Sequence, residues 1–251
     1  MTRPEDLWRP PPTALALSSA QVHVWRVGLE PDTACVEQLH RSLSADESQR
    51  AARFYFEPDR RRFIVARGAL RDILGRYLGI PPSELGFCYS SYGKPALART
   101  PGEGRLRFNV SHSHELALVA VTHAREVGVD LEYLRPDIAC EEIAEHFFSA
   151  RERASLRALP AEVKHQAFFN CWTRKEAYIK AHGEGLSLPL DQFDVSLAPG
   201  EPVALLATRH DHRDAQRWSL QALMPGPGYA AAVVVEGQGW HLTCWQWRKA
   251  R

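Results

Sequence analysis

Val127-Gly128-Val129-Asp130-Leu131-Glu132 decides how this chain divides and where its chemistry sits. Side chains alternate in direction along a strand, so an extended run points Asp130 and Glu132 the same way. Two like charges on a mostly apolar strand are costly unless something neutralises them. A hard cation does so, and Mg²⁺ prefers oxygen ligands, commonly one or two carboxylates together with substrate phosphates. By itself an Asp-x-Glu pair reads equally as a strand end whose acids are solvated or paired with arginine.

The same run opens what reads as a second half. Before it come a strand at 21–28, a helix opened by the capping box Ser44-Ala45-Asp46-Glu47, a break at Pro58, and a helix over 60–78. Phe63, Ala66, Leu70, Ile73, Leu74 and Tyr77 give that helix its apolar stripe, and Gly79 with Pro81-Pro82 stops it. Strands follow at 85–90, 106–110 and 116–122. After 127–134 the order repeats: helices at 138–148, 150–159 and 161–182, a turn at Gly183-Glu184-Gly185, then strands at 193–197, 203–207, 218–223, 229–235 and 241–247. The runs 116–121 and 229–235 read as equivalent core strands. The expectation is an α+β fold of two similar α/β halves related by a pseudo-twofold axis, with the active site in the cleft between them. Residues 1–20 form a Pro-rich, loosely attached, irregular arm, 21–125 the first half and 126–251 the second.

Composition narrows the function. The 251 residues, 45% hydrophobic, suffice for a substantial core. A formal net charge of +1 gives no global field toward nucleic acid. No apolar run reaches membrane-spanning length and the N-terminus lacks a signal-peptide core, so no membrane partner is expected. Cys35, Cys88, Cys140, Cys171 and Cys244 form no Cys-x-x-Cys pair, which removes support for zinc and suits reduced thiols in the cytoplasm.

Other residues extend the phosphate argument. On the helix over 161–182, Phe168 and Trp172 recur at steps of four and Glu176 takes the next step, where packing alone calls for an apolar residue. Lys180 is one turn further. The bland reading is a surface Glu–Lys pair worth a few tenths of a kcal/mol; the sharper one is a metal-binding acid beside a cation that meets phosphate. Phe108-Asn109-Val110-Ser111-His112-Ser113-His114 ends a strand in small polar groups and imidazoles that can hydrogen-bond a phosphate, or forms a polar turn. Tyr92-Gly93-Lys94-Pro95 reads by default as a plain turn, or combines close backbone approach with a cation, and lacks P-loop spacing. Arg50 and Arg53 share one helix face, while Arg60, Arg61 and Arg62 read as a solvated face and Arg71 as a surface cation.

Taken together these residues resemble the 4′-phosphopantetheinyl transferases, in particular their large two-halved class. The resemblance runs from about Ser44 to Val195. It rests on Gly93-Lys94-Pro95, Phe108-Asn109-Val110-Ser111-His112-Ser113, Gly128-Val129-Asp130-Leu131-Glu132, Phe147-Phe148-Ser149 with Glu152, Trp172-Thr173-Arg174-Lys175-Glu176-Ala177, Lys180, and Gly185-Leu186-Ser187-Leu188-Pro189-Leu190. It implies transfer of phosphopantetheine from coenzyme A to a serine of an apo acyl or peptidyl carrier protein, releasing adenosine 3′,5′-bisphosphate. Asp130, Glu132 and Glu176 would hold Mg²⁺, with Mn²⁺ as a substitute. Glu176, directly or through a metal-bound water, would take the serine proton, and Lys180 would stabilise or protonate the departing phosphate. His112 would sit on the coenzyme A phosphates, and Gly93, Lys94 and Pro95 at the adenine and ribose end with Ser111 nearby. Asn109 and Lys175 fall inside the matched motifs and are carried over as coenzyme A contacts. Arg50 aligns with a basic position that binds the 3′-phosphate; some relatives have a lysine where this chain has Glu47. The class works as a monomer. Two other readings use the same acids: a metal-dependent phosphohydrolase, and a coenzyme A-binding module without activity. The intact set of Asp130, Glu132, Glu176 and Lys180 argues against the module, and the extent of the resemblance argues against the hydrolase.

Overall fold

Two long helices organise the molecule, α3 (Glu57–Leu78) and α6 (Ala161–His182), each of 22 residues. Each is stopped by a glycine in the left-handed region, Gly79 at φ 67° and Gly183 at φ 80°, a conformation glycine adopts without steric cost. Each is preceded by a short helix with a capping box: Ser44 and Glu47 open α2 (Ala45–Ala52), and Ser149 and Glu152 open α5 (Ala150–Ala158). The computed structural model describes residues 7–98, 105–183, 188–209, 211 and 213–249. Glu184 and the expected motif residues Gly185, Leu186 and Ser187 lie outside them.

The remaining elements are β1 (Gln21–Gly28), α1 (Thr33–His40), β2 (Phe87–Tyr89), β3 (Pro95–Leu97), β4 (Leu106–Ser113), β5 (Leu116–His123), β6 (Val127–Tyr133), α4 (Cys140–Phe147), β7 (Phe193–Val195), β8 (Leu205–Thr208), α7 (Asp214–Arg217), β9 (Trp218–Leu223), β10 (Tyr229–Glu236) and β11 (His241–Gln246). One sheet has the order β11-β1-β5-β4 and the other β6-β10-β9; β2-β3 and β7-β8 are separate pairs. The expected equivalents 116–121 and 229–235 are β5 and β10, each with a strand on both sides within its sheet.

Alternation along these strands builds the core. Trp25 and Val27 of β1 and Val119 and Val121 of β5 meet Ile64, Leu70, Ile73 and Leu74 of α3. Ala230, Ala232 and Val234 of β10 meet Phe168, Ala177 and Ala181 of α6. The opposite faces, Val22, Val24, Leu118 and Ala120 against Val129, Leu131, Ala231 and Val233, close on one another. The result is helix, sheet, sheet, helix.

Four expectations change. Pro58 starts α3 rather than breaking the chain, because proline in a first turn loses no helical hydrogen bond. Arg71 is not a surface cation. It is 1% exposed, its Nε donates to Glu47 Oε2 at 2.7 Å, and Nη1 donates to the carbonyls of Pro82 and Leu85 at 2.9 and 2.8 Å. The N-terminal arm is tied down where described: Trp8 is buried and its Nε1 donates to Met224 O at 2.7 Å. Finally, β11 falls in the range 126–251 yet pairs in parallel with β1, completing the first sheet.

Candidate functional site

The two sheets meet where β6 lies alongside β4. β6 is the edge of its sheet, and an edge strand leaves alternate N–H groups without a ladder partner. β4 supplies side chains instead of backbone. Asn109 Oδ1 accepts from Val129 N (2.9 Å), Ser111 Oγ from Leu131 N (3.3 Å) and Ser113 Oγ from Tyr133 N (3.0 Å). This works because β4 continues through Ser113, instead of ending near Val110 in a polar turn. The period-two series Asn109, Ser111, Ser113 therefore faces one way.

The serines also engage the acids. Ser111 Oγ donates to Asp130 Oδ1 at 2.9 Å and Ser113 Oγ to Glu132 Oε2 at 2.9 Å. Lys180 Nζ arrives from α6, 2.6 Å from Asp130 Oδ1 and 3.1 Å from Ser111 Oγ. Gly128 allows that approach. A Cβ there would collide with Ala177 O and Ala181 N, so any other residue would push α6 off β6.

Asp130, Glu132 and Glu176 thus share one electrostatic neighbourhood. Burial pushes the Glu176 carboxyl above its ordinary 4.5; Asp130 and Glu132 push it further, against the pull of Lys180. Glu132 is raised by burial and then by Asp130, partly countered by Ser113 and Lys180. Asp130 is 2% exposed, and its Oδ2 is buried without any hydrogen-bond partner. A buried anionic oxygen left unpaired is costly, and a cation would complete it. The donor set, three carboxylates with acceptor capacity to spare, suits a hard oxygen-seeking metal. Among the described residues no three His, Cys, Asp or Glu side chains are drawn into a closed metal cluster; Lys180 holds one oxygen of Asp130 instead.

His112, on the opposite face of β4 from the serines, is exposed. Lost hydration lowers its pKa below 6.5, and the nearby Lys180 and Arg50 cations lower it further. Arg50 is exposed on α2, its guanidinium 5.4 Å from the centre of the Phe63 ring. Lys180 and Arg50 supply cations, and His112, near both, adds an imidazole that can hydrogen-bond, a set suited to a chain of phosphates.

Gly93 makes the β2–β3 turn at φ 79°. Lys94 and Pro95 line a cavity of about 550 Å³ with Tyr89, Phe108, Glu126 and His182. Lys94 Nζ donates to Ala181 O at 3.2 Å and lies 3.4 Å from Glu126 Oε2, so it links the first half to the end of α6. Burial lowers its pKa, partly restored by Glu126.

Two expected contacts are corrected. Lys175, next to Glu176 on α6, is wholly buried. Its Nζ reaches Glu152 Oε2 (2.8 Å), Leu190 O (2.6 Å) and Phe193 O (2.7 Å), which leaves no donor for a ligand. Asn109 is buried and its side-chain carbonyl holds Val129, so it joins the halves. Ser113 and Gly128 are site residues to which sequence reasoning gave no role. The signal for Ser113 was its two-residue step from Ser111. Gly128 had none, because a close approach between elements is invisible before the fold is known.

Two family models match, on either side of residue 125. Residues 28–124 match "4′-phosphopantetheinyl transferase, N-terminal" and residues 126–234 match "4′-phosphopantetheinyl transferase superfamily". The chain is 45% identical over 243 residues to the 4′-phosphopantetheinyl transferase HetI of Nostoc sp., covering 97% of this chain and 99% of that relative. It is 30% identical over 198 residues to the 4′-phosphopantetheinyl transferase Sfp of Bacillus subtilis, covering 78% and 84%. A holo-[acyl-carrier-protein] synthase structure from Thermotoga maritima aligns at 20% identity and a TM-score of 0.36, over 45% of this chain and 63% of that one.

Proposed function

Because the chain belongs to the 4′-phosphopantetheinyl transferase superfamily, we propose that its cleft takes coenzyme A as donor and holds Mg²⁺ on Asp130, Glu132 and Glu176. The chain is a transferase that places phosphopantetheine on carrier proteins. The observation that carries the assignment of the site is the buried, unpartnered Oδ2 of Asp130 beside two carboxyls of raised pKa.

In this reading the adenine end of the donor enters the cavity beside Lys94 and Pro95. Its phosphates run along Arg50, His112 and Lys180. The metal, when bound, neutralises charge on the pyrophosphate. Glu176, its proton affinity raised by burial and by Asp130, accepts the proton of the carrier serine. The serine Oγ forms the new bond to phosphorus as the bond to adenosine 3′,5′-bisphosphate breaks. Lys180 meets the negative charge left on that departing phosphate. Ser111 keeps Lys180 and Asp130 in register, and Ser113 does the same for Glu132.

Both sides of the cleft come from one chain, which supports a monomer. A coenzyme A donor and apo carrier acceptors support a cytoplasmic reaction. Among the described residues no helix is long and apolar enough to cross a membrane, and the five cysteines are unpaired.

The test is intact-protein mass spectrometry of an apo carrier incubated with the chain, coenzyme A and Mg²⁺. The expected result is a carrier heavier by one phosphopantetheine. Adenosine 3′,5′-bisphosphate released without a carrier, with no mass gain across fatty-acid, polyketide and peptide-synthetase carriers, would overturn the donor and site assignment.

A further inference from the structure

Between the end of α2 and the start of α3 the chain exposes Arg53-Phe54-Tyr55-Phe56. The three aromatics are 37%, 91% and 63% exposed. Nothing in the fold explains them. Phe54 touches Phe63 (ring centres 5.3 Å apart), and Tyr55 and Phe56 lie edge to face at 4.9 Å, with no other ring contact among the described residues. Phe56 also occupies the N-cap of α3 with no side-chain hydrogen bond. Ser, Thr, Asp or Asn there would satisfy an orphan N–H and stabilise the helix start. A local rule is broken by an exposed aromatic, a combination that marks a contact surface.

Around this loop two exposed arginines without an ion pair among the described residues, Arg50 and Arg53, face one such acid, Asp59 in the first turn of α3. Arg60 is paired with Glu57. The loop is also continuous with the site. Arg50 stands near His112 and over the Phe63 ring, which in turn holds Phe54. A partner seated on the loop would lie against the cationic end of the cleft.

We propose that Arg53, Tyr55 and Phe56 form a docking surface for the carrier protein, taking an acidic segment of it that presents apolar side chains. Exposed aromatics beside arginine are the residue types that dominate binding energy at interfaces. Arg53 selects for acid, and such a charge acts mainly on encounter and register. Continuity with the cleft favours the acceptor over a lipid surface, since a patch that anchors the protein to a membrane has no need to adjoin the reacting groups. This rests on the transferase reading, and deepens it by locating where the acceptor is held.

The experiment measures KM for carrier and for coenzyme A separately, with an apo acyl carrier protein that the wild-type chain modifies. The variants are Tyr55→Ser, Phe56→Ser and Arg53→Glu, all at exposed positions outside the site. The expected result is a rise of about tenfold in carrier KM for the aromatic pair changed together, with KM for coenzyme A and kcat unchanged. Arg53→Glu should raise carrier KM less at high salt than at low salt, and a carrier with one acidic residue reversed to lysine should recover part of the loss. Unchanged carrier KM in all three variants would overturn the proposal. So would loss of sedimentation with anionic phospholipid vesicles at unchanged carrier KM. Wild-type activity in the same assay keeps these outcomes separate from failure of the transferase site itself.

Discussion

Helices α3 and α6 carry the same trio at matching distances from their closing glycines: Arg71, Asp72 and Arg76 on α3, and Lys175, Glu176 and Lys180 on α6. The first members do the same work. Arg71 and Lys175 are buried cations, each paired with the glutamate of its half's capping box, Glu47 or Glu152, and each holding two backbone carbonyls of the chain beyond its helix. The second members part company. Asp72 accepts from Trp247 Nε1 (2.9 Å) and pairs with Arg76 (2.7 Å) and Lys249 (3.3 Å). Glu176 receives no hydrogen bond from a described residue, and its nearest charged neighbours include two other acids. The third members follow: Arg76 turns back onto its own helix, while Lys180 crosses to β6 and β4. An acid at this helical step becomes a staple or a reactive group according to which strand lies opposite. Arg76 and the tail after β11 neutralise Asp72; β4 brings hydroxyls to Asp130 and Glu132, Lys180 pairs with Asp130 alone, and Glu132 and Glu176 have no ion pair among the described residues.

That contrast can be broken most directly by removing the acids. Asp130→Asn and Glu176→Gln should each lower phosphopantetheine transfer by about a thousandfold or more, on the scale of a lost metal contact or general base, with the circular dichroism spectrum intact. Asp72→Asn should leave kcat within about twofold. Equal losses from both helices would erase the distinction.

The shared scaffold is the next target. Lys175→Met strands the Glu152 carboxylate in the core and should cost about 3–5 kcal/mol in urea unfolding. Arg71→Met should cost less, because Arg67 still pairs with Glu47. Pairing Lys175→Met with Glu152→Gln should restore much of the loss. A Lys175→Met protein of normal stability and raised KM for coenzyme A would return Lys175 to the ligand site.

The smallest effect sharpens the electrostatic half of the comparison. Glu132 and Glu176 have folded-state pKa values raised above 4.5. Between 4.5 and the raised values the folded chain keeps protons that the unfolded chain has lost, so these two groups favour folding less as pH rises through that window. Glu176→Gln, which breaks no ion pair among the described residues, should therefore raise the melting temperature of the metal-free protein at neutral pH, by about 2–4 °C. Mg²⁺ should stabilise the wild type at neutral pH and much less near pH 4.5, where Glu132 and Glu176 hold protons. No Mg²⁺ shift at neutral pH would remove the metal assignment without reference to turnover.

Much of this was legible in residues whose signal is local. The capping boxes, the helices over 60–78 and 161–182, and the strands β5, β6 and β10 follow from periodicity and turn chemistry; the first turn of α3, before residue 60, does not. The shared direction of Asp130 and Glu132 follows from alternation alone. What sequence did not carry was partner identity. Lys175 looked like a ligand contact because a lysine next to a site acid resembles one, and only the fold reveals Glu152 and two carbonyls around it. Arg71 looked exposed because no sequence rule announces the glutamate 24 residues earlier that neutralises it. Asn109 looked like a phosphate donor because the unpaired edge of β6 cannot be seen until both sheets exist.

The pairing of β11 with β1 has a consequence for how the chain is made. The outer strand of the first sheet is nearly the last part of the described chain to leave the ribosome, so a completed first half waits on the whole second half. Until then β1 offers a bare parallel edge, flanked by Trp25 and Val27, that any extended segment could occupy. Such sequence-distant pairing slows folding and lengthens that exposure. Shortening the chain before His241 would thus leave the cleft residues in place on paper, yet yield a protein prone to aggregate during synthesis.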